Sequence, residues 1–242
     1  MNIITQLVIL TLSLLLVNAD LHCTSLYKDF KRKCIPSMIT IRSCCDLDTF
    51  TPSPGVYKMS TRTFGTADVY CDTRTDGGGW IVIARNKRRS SVDFNKNWTD
   101  YEKGFGDLKT EFWYGLEAIH CFTESGQWEM RVDYQNYDKT WSYLHYNQFS
   151  VGSASKEYPL TVGGFTGEGT DLFKPHNGYK FSTPDNDNDI WSGGNKNCAA
   201  NSRSGWWHYA CYRINTNSQI PNVHGNVLFT EMKIRPKDCI TH

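Results

Sequence analysis

Nine cysteines follow an apolar, uncharged leader in a chain of 242 residues, and together these two features narrow what the chain can become. Residues 1–19, MNIITQLVILTLSLLLVNA, contain no Lys, Arg, Asp or Glu, and an apolar run over residues 7–17 ends in Val17-Asn18-Ala19. A secretory signal peptide cleaved before Asp20 is expected, even without a positively charged start. The run is too short to span a bilayer as a mature helix. No later stretch approaches that length, so residues 20–242 are expected to be secreted and extracellular, with no membrane insertion. In that compartment structural disulfides are the default use of cysteine, and an odd count leaves at least one thiol without an internal partner.

After the leader there is enough chain for one sizeable core or two small ones. No Gly/Ser tract, Pro-rich stretch or charge block separates Cys44 from Pro236, so one domain is expected behind a short N-terminal segment at residues 20–43. That segment carries no heptad pattern or G-x-y series. The chain's 26 basic and 25 acidic residues leave a formal charge of +1, too little to gather nucleic acid. One local exception, Arg85-Asn86-Lys87-Arg88-Arg89, reads as a solvated hairpin end, with a heparin-like contact as the alternative. Asn97-Trp98-Thr99 is the only N-glycosylation sequon, which marks Asn97 as the expected glycan acceptor.

Helical signals are sparse. Nineteen glycines, 14% aromatic residues and short β-branched runs favour a sheet-dominated α+β domain. Strands are expected at residues 56–59, 67–71 and 80–84, and Gly77-Gly78-Gly79 supplies the turn before the last of these. Short helices are expected within residues 110–123, and residues 127–134 alternate like a half-buried strand. Beyond Gly163 the chain is rich in Gly, Asn and Asp. Ordered loops of that length need metal or disulfide support.

No enzymatic constellation is present: there is no G-x-S-x-G, H-E-x-x-H, C-x-x-C or phosphate-cradling Gly-rich loop, so no catalytic residues are expected. The seven histidines are scattered and lack a second ligand at metal spacing. Asp185-Asn186-Asp187-Asn188-Asp189 places three carboxylates and two amides in a loop, a density of hard oxygen donors that suits calcium; an acidic surface turn is the alternative. It is not an EF-hand, because Ile190 and Lys196 stand where that loop needs Gly and Glu. Cys198 and Cys211 bracket a twelve-residue stretch that contains Gly205-Trp206-Trp207, and a disulfide closing it would make a rigid platform. The Trp pair suits either a core or a ligand pocket.

An ordered set of motifs runs through the chain. It includes Pro54-Gly55-Val56-Tyr57, Val69-Tyr70-Cys71-Asp72, Asp76-Gly77-Gly78-Gly79-Trp80, Glu111-Phe112-Trp113, Val162-Gly163-Gly164, His176-Asn177-Gly178, Asn197-Cys198-Ala199, Gly205-Trp206-Trp207 and Thr230-Glu231-Met232-Lys233-Ile234-Arg235-Pro236. On these motifs the chain resembles the fibrinogen-related (fibrinogen C-terminal-like) family over residues 44–239. The resemblance implies an α+β domain with a small disulfide-closed N-terminal part, a central twisted antiparallel sheet with short helices, and a loop-rich part for calcium and ligand. The family spans secreted lectins such as ficolins and tachylectins, fibrinogen chains, angiopoietin-like signals and matrix tenascins. In organisation this chain is closest to the lectins. A lectin-like, calcium-dependent binder of acetylated glycans in innate immunity is therefore expected. The alternative is a signalling ligand for a cell-surface receptor, or an adhesion or matrix protein. The implied partners are glycans or cell-surface glycoproteins.

The resemblance also implies the pairs Cys44–Cys71 and Cys198–Cys211. Cys23, Cys34, Cys45, Cys121 and Cys239 remain, and an interchain bridge through Cys23 or Cys34, giving a disulfide-linked homo-oligomer, is expected. It further implies one Ca2+ held by the side chains of Asp187 and Asp189 and the backbone carbonyls of Trp191 and Gly193. Three extra residues, Gly194-Asn195-Lys196, lengthen that loop relative to the family. By the same resemblance, an acetyl group would enter beside Cys211, at a cis Ala210-Cys211 peptide walled by Trp207, His208, Tyr209 and Tyr212. Such a bond costs about 3–4 kcal/mol and persists only where its surroundings enforce it. Tyr212 replaces the lectins' usual His, and the segment between Cys211 and Thr230 is shortened, so a shallow, altered pocket is expected.

Overall fold

The structure is a computed structural model that describes residues 40–47, 53–61, 65–192, 197–209, 211, 214–218, 221–223 and 227–239. The leader, Cys23, Cys34, Gly193, Ala210 and Tyr212 lie outside the described residues, and so does the Ala210-Cys211 bond.

Ten strands and three short α-helices occur among the described residues, a sheet-dominated α+β arrangement. The strands are β1 (Thr40–Ile41), β2 (Gly55–Thr61), β3 (Gly65–Asp72), β4 (Trp80–Lys87), β5 (Phe105–Gly106), β6 (Phe112–Trp113), β7 (Trp128–Gln135), β8 (Trp141–Val151), β9 (Leu160–Phe165) and β10 (Phe229–Pro236). The helices are α1 (Trp98–Lys103), α2 (Leu116–Thr123) and α3 (Cys198–Ser202). The main sheet runs β1-β2-β3-β4-β10-β7-β8-β9, with β6 also paired to β4 and β5 to β6. Most neighbours are antiparallel, as expected, but β1 lies parallel to β2, so the sheet is mixed.

Periodicity explains the strands that were legible. In β4 every residue from Trp80 to Asn86 is buried, the pattern of a strand covered on both faces. β7 instead buries every second residue, Met130, Val132 and Tyr134, as a half-exposed strand does. The last strand, β10, enters the middle of the sheet between β4 and β7. Its Lys233 is 2% exposed, and its Nζ lies 2.6 Å from Asp72, 2.7 Å from Asp133 and 2.9 Å from Glu231. A buried ammonium is tolerable only when neutralised in this way.

Three disulfides close the domain. Cys44 bonds Cys71 and Cys198 bonds Cys211, the two pairs implied by the resemblance, and Cys45 bonds Cys239 across 194 residues. The third bridge depends on Gly79, whose φ is +77°: a Cβ there would sit 2.5 Å from Cys239 Sγ. Cys121 is half-buried on α2. Among the described residues no helix is long and apolar enough to cross a membrane.

Candidate functional site

Among the described residues between β9 and β10 almost all are loop, and side-chain hydrogen bonds replace sheet ladders as their organisers. Ser182 and Trp206 exchange backbone hydrogen bonds of 2.9 and 3.0 Å, which joins the Asp-rich loop to the disulfide loop. Asn188 N–H donates to Ser182 Oγ, and Asn188 Nδ2 donates to Phe181 O. Asn197 caps α3 by accepting from Ala200 N–H, while its Nδ2 reaches Thr183 O. Ile190 N–H donates to Tyr209 O at 3.3 Å.

The three aspartates have separate roles. Asp185 Oδ1 accepts from Trp98 N–H at the start of α1 and from Thr183 Oγ1, so it organises the neighbouring helix. Asp189 Oδ1 accepts from Trp191 N–H and its Oδ2 from Cys198 N–H, both at 2.8 Å. Asp187 Oδ1 accepts weakly from Asp189 N–H at 3.3 Å. Burial, together with the adjacent Asp189 carboxylate, pushes the Asp187 carboxyl above its ordinary value, with the Asp189 N–H opposing. Two carboxylates held together, each with lone pairs to spare, form a hard-oxygen pair that fits a divalent cation. Among the described residues no three His, Cys, Asp or Glu side chains converge, so backbone carbonyls and water would have to complete a shell there.

The expected pocket walls divide. Trp207 is 0% exposed: its ring lies 5.1 Å from Phe181, 5.4 Å from Trp206 and 6.0 Å from Trp113, and its Nε1 donates to Tyr158 O. It is therefore a core side chain and does not line an open pocket. His208 is also buried, and its Nε2 finds no partner among the described residues. Burial and the nearby His176 push its imidazolium pKa down to about 4, with Asp189 opposing, so it stays neutral near pH 7. His176 Nδ1 sits 2.7 Å from Trp207 O.

Tyr209 is half-exposed and packs against Tyr179 with centroids 4.9 Å apart and the ring planes inclined at 59°. Beside it, Ile190 is 55% exposed and Trp191 39%. Sequence reasoning used only the carbonyl of Trp191 and passed over its indole. The signal was there: Ile190-Trp191 is an apolar pair in a loop of turn formers, with no strand or helix period to bury it. Asn97 is exposed, and its Oδ1 caps α1 by accepting from Asp100 N–H.

The sequence pattern described as the C-terminal globular domain of fibrinogen beta and gamma chains matches residues 42–237. Fibrinogen-like protein A of Apostichopus parvimensis is 36% identical over 76% of this chain and 70% of its own length. Tenascin-R of Gallus gallus is 36% identical over 75% of this chain, which spans only 14% of that protein. The fibrinogen-like globe domain of human ANGPTL6 superposes with a TM-score of 0.73 at 31% identity, covering 81% of this chain and 95% of that one.

Proposed function

Since the chain belongs to the fibrinogen C-terminal globular domain family, we propose that it is a secreted, calcium-dependent recognition protein of innate immunity that binds acetylated glycans in a lectin-like manner. The observation that carries this reading is the link from ion site to surface. Asp189 accepts from both Trp191 and Cys198, and so ties the carboxylate pair to the disulfide loop and to the segment that displays Ile190 and Trp191. Asp187 and Asp189 would hold Ca2+, with the carbonyls of Trp191 and Gly193 and water. Bound there, the ion would neutralise the two carboxylates and brace both loops. Exposed Trp191 and the tilted Tyr179–Tyr209 pair offer faces for a sugar ring or acetyl methyl.

Titrating N-acetylglucosamine with calcium present, and following Trp fluorescence in wild type, Trp191→Ala and Tyr209→Ala, tests this reading. Saturation at millimolar sugar is expected in wild type, weakened in both variants. No saturable response with calcium bound would end the glycan proposal.

The burial of Trp207 and His208 favours a second reading, because it removes two of the four expected pocket walls. In this reading the chain is a signalling ligand for a cell-surface receptor, or an adhesion or matrix protein. Saturable binding to cells that no sugar competes away would support it.

A further inference from the structure

The basic run Arg85-Asn86-Lys87-Arg88-Arg89, which closes β4 and extends just beyond it, does not act as one patch. Arg85 is buried with its Nε 2.7 Å from Glu231, and Lys87 pairs with Glu111. Arg88 and Arg89 remain. They line a cavity of about 490 Å³ with Ser90 and Ser91, and Arg203, from just beyond α3, joins them. None of these three arginines has an ion pair among the described residues, and all three are exposed. Arg88 lies 5.1 Å over the Tyr137 ring, a cation–π contact that leaves guanidinium edges free to donate. Asp93 is the single carboxylate in the lining, and its Oδ1 accepts from Asn95 N–H.

Backbone geometry adds a second, independent observation. Arg89 has φ +63° and Arg203 φ +53°, in the left-handed region that glycine enters freely and side chains resist. Arg203 is the C-cap of α3, where its N–H donates to the Ala199 and Ala200 carbonyls, a position that glycine would fill without strain. Glycine would fill either position with less strain than arginine.

We propose that this cavity binds a sulfate group of a sulfated polysaccharide chain. Guanidinium forks match the oxygens of a tetrahedral oxyanion, and the Ser90 hydroxyl, whose oxygen accepts from Val92 N–H, adds a short-range donor, whereas the Ser91 hydroxyl donates to Glu111 Oε2. The volume suits one sulfated sugar residue, within the usual range of ligand sites. Nucleic acid fits poorly: the lining's aromatic ring, Phe94, is buried and offers no stacking face, and the chain as a whole carries only +1. The site is separate from the glycan face at Trp191, so each can fail without the other.

The test is binding of the intact chain to immobilised heparin at 0.15 M salt, for wild type, Arg89→Gly, Arg203→Gly and, as an equal-charge control, the exposed Arg74→Ala. Arg203→Gly and Arg89→Gly should each weaken binding at least about tenfold while leaving the melting temperature unchanged or raised. Arg74→Ala should stay within about twofold. Desulfated heparin should fail to compete, and a DNA duplex should compete poorly. Equal losses in all variants, or competition by DNA as strong as by heparin, would overturn the proposal, as would undiminished binding by Arg203→Gly.

Discussion

Replacing Lys233 by Met keeps most of the stem's apolar packing and deletes one charge from the middle of the sheet. Asp72, Asp133 and Glu231 lie within 2.9 Å of that charge. Two of them keep a second cation: Glu231 holds Arg85 at 2.7 Å and Asp133 holds Arg131 at 2.8 Å. Asp72 keeps the N–H groups of Arg74 and Thr75 and the Thr75 hydroxyl, but no second cation among the described residues. Breaking a buried charge pair costs about 3–5 kcal/mol, and the surviving arginines place this variant near 3. An independent figure comes from Asp72 itself. Burial pushes its carboxyl up, but the Lys233 ammonium and the hydrogen bonds it accepts hold it at about 2 against 3.8. That depression is worth about 2 kcal/mol. A loss near 3 kcal/mol should lower the melting temperature by about 6–12 °C for a chain of this size.

Urea unfolding followed by Trp fluorescence, with disulfides intact, measures the loss. The pH dependence adds a sign. Because the folded value of Asp72 is depressed, its contribution is complete above the unfolded value near 3.8 and is lost as pH falls through about 2. In Lys233→Met burial dominates, so protonating Asp72 should relieve the variant and narrow its deficit on acidification. Asp72→Asn in the same background should recover part of the loss at pH 7. A deficit below about 1 kcal/mol, or one equal at pH 7 and pH 3, would refute the reasoning.

Gly205→Ala should destabilise by about 1–3 kcal/mol in the same assay, because its Cβ would lie 2.6 Å from the Phe181 ring and 2.8 Å from that of Tyr101, both buried. Replacing Cys198 and Cys211 together by Ser opens a bridge of sequence separation 13 and should cost about 3 kcal/mol, with sugar affinity falling alongside; full affinity at reduced stability would detach the binding face from the disulfide loop.

How far the sequence foretold the structure depended on where each residue's partners lie. The buried run of β4 and the alternation of β7 are local patterns, and they read correctly. The place of β10 between β4 and β7 is non-local, and Lys233 in Thr230-Glu231-Met232-Lys233 gives no local sign of burial, because Asp72 and Asp133 approach from β3 and β7. The same holds at the loops. Asp187 and Asp189 stand out by spacing alone, whereas the burial of Trp207 is decided by Trp113, Tyr158 and Phe181, which reach it from three distant segments.

Calcium-dependent recognition is tested most directly by a glycan array probed with the secreted chain, with calcium and with chelator, in wild type and Asp187→Ala, alongside thermal melts. Acetylated glycans should be retained only with calcium, and calcium should raise the wild-type melting temperature while leaving Asp187→Ala unmoved. Equal retention of acetylated glycans by wild type in chelator, or a full calcium shift in Asp187→Ala, would contradict the account.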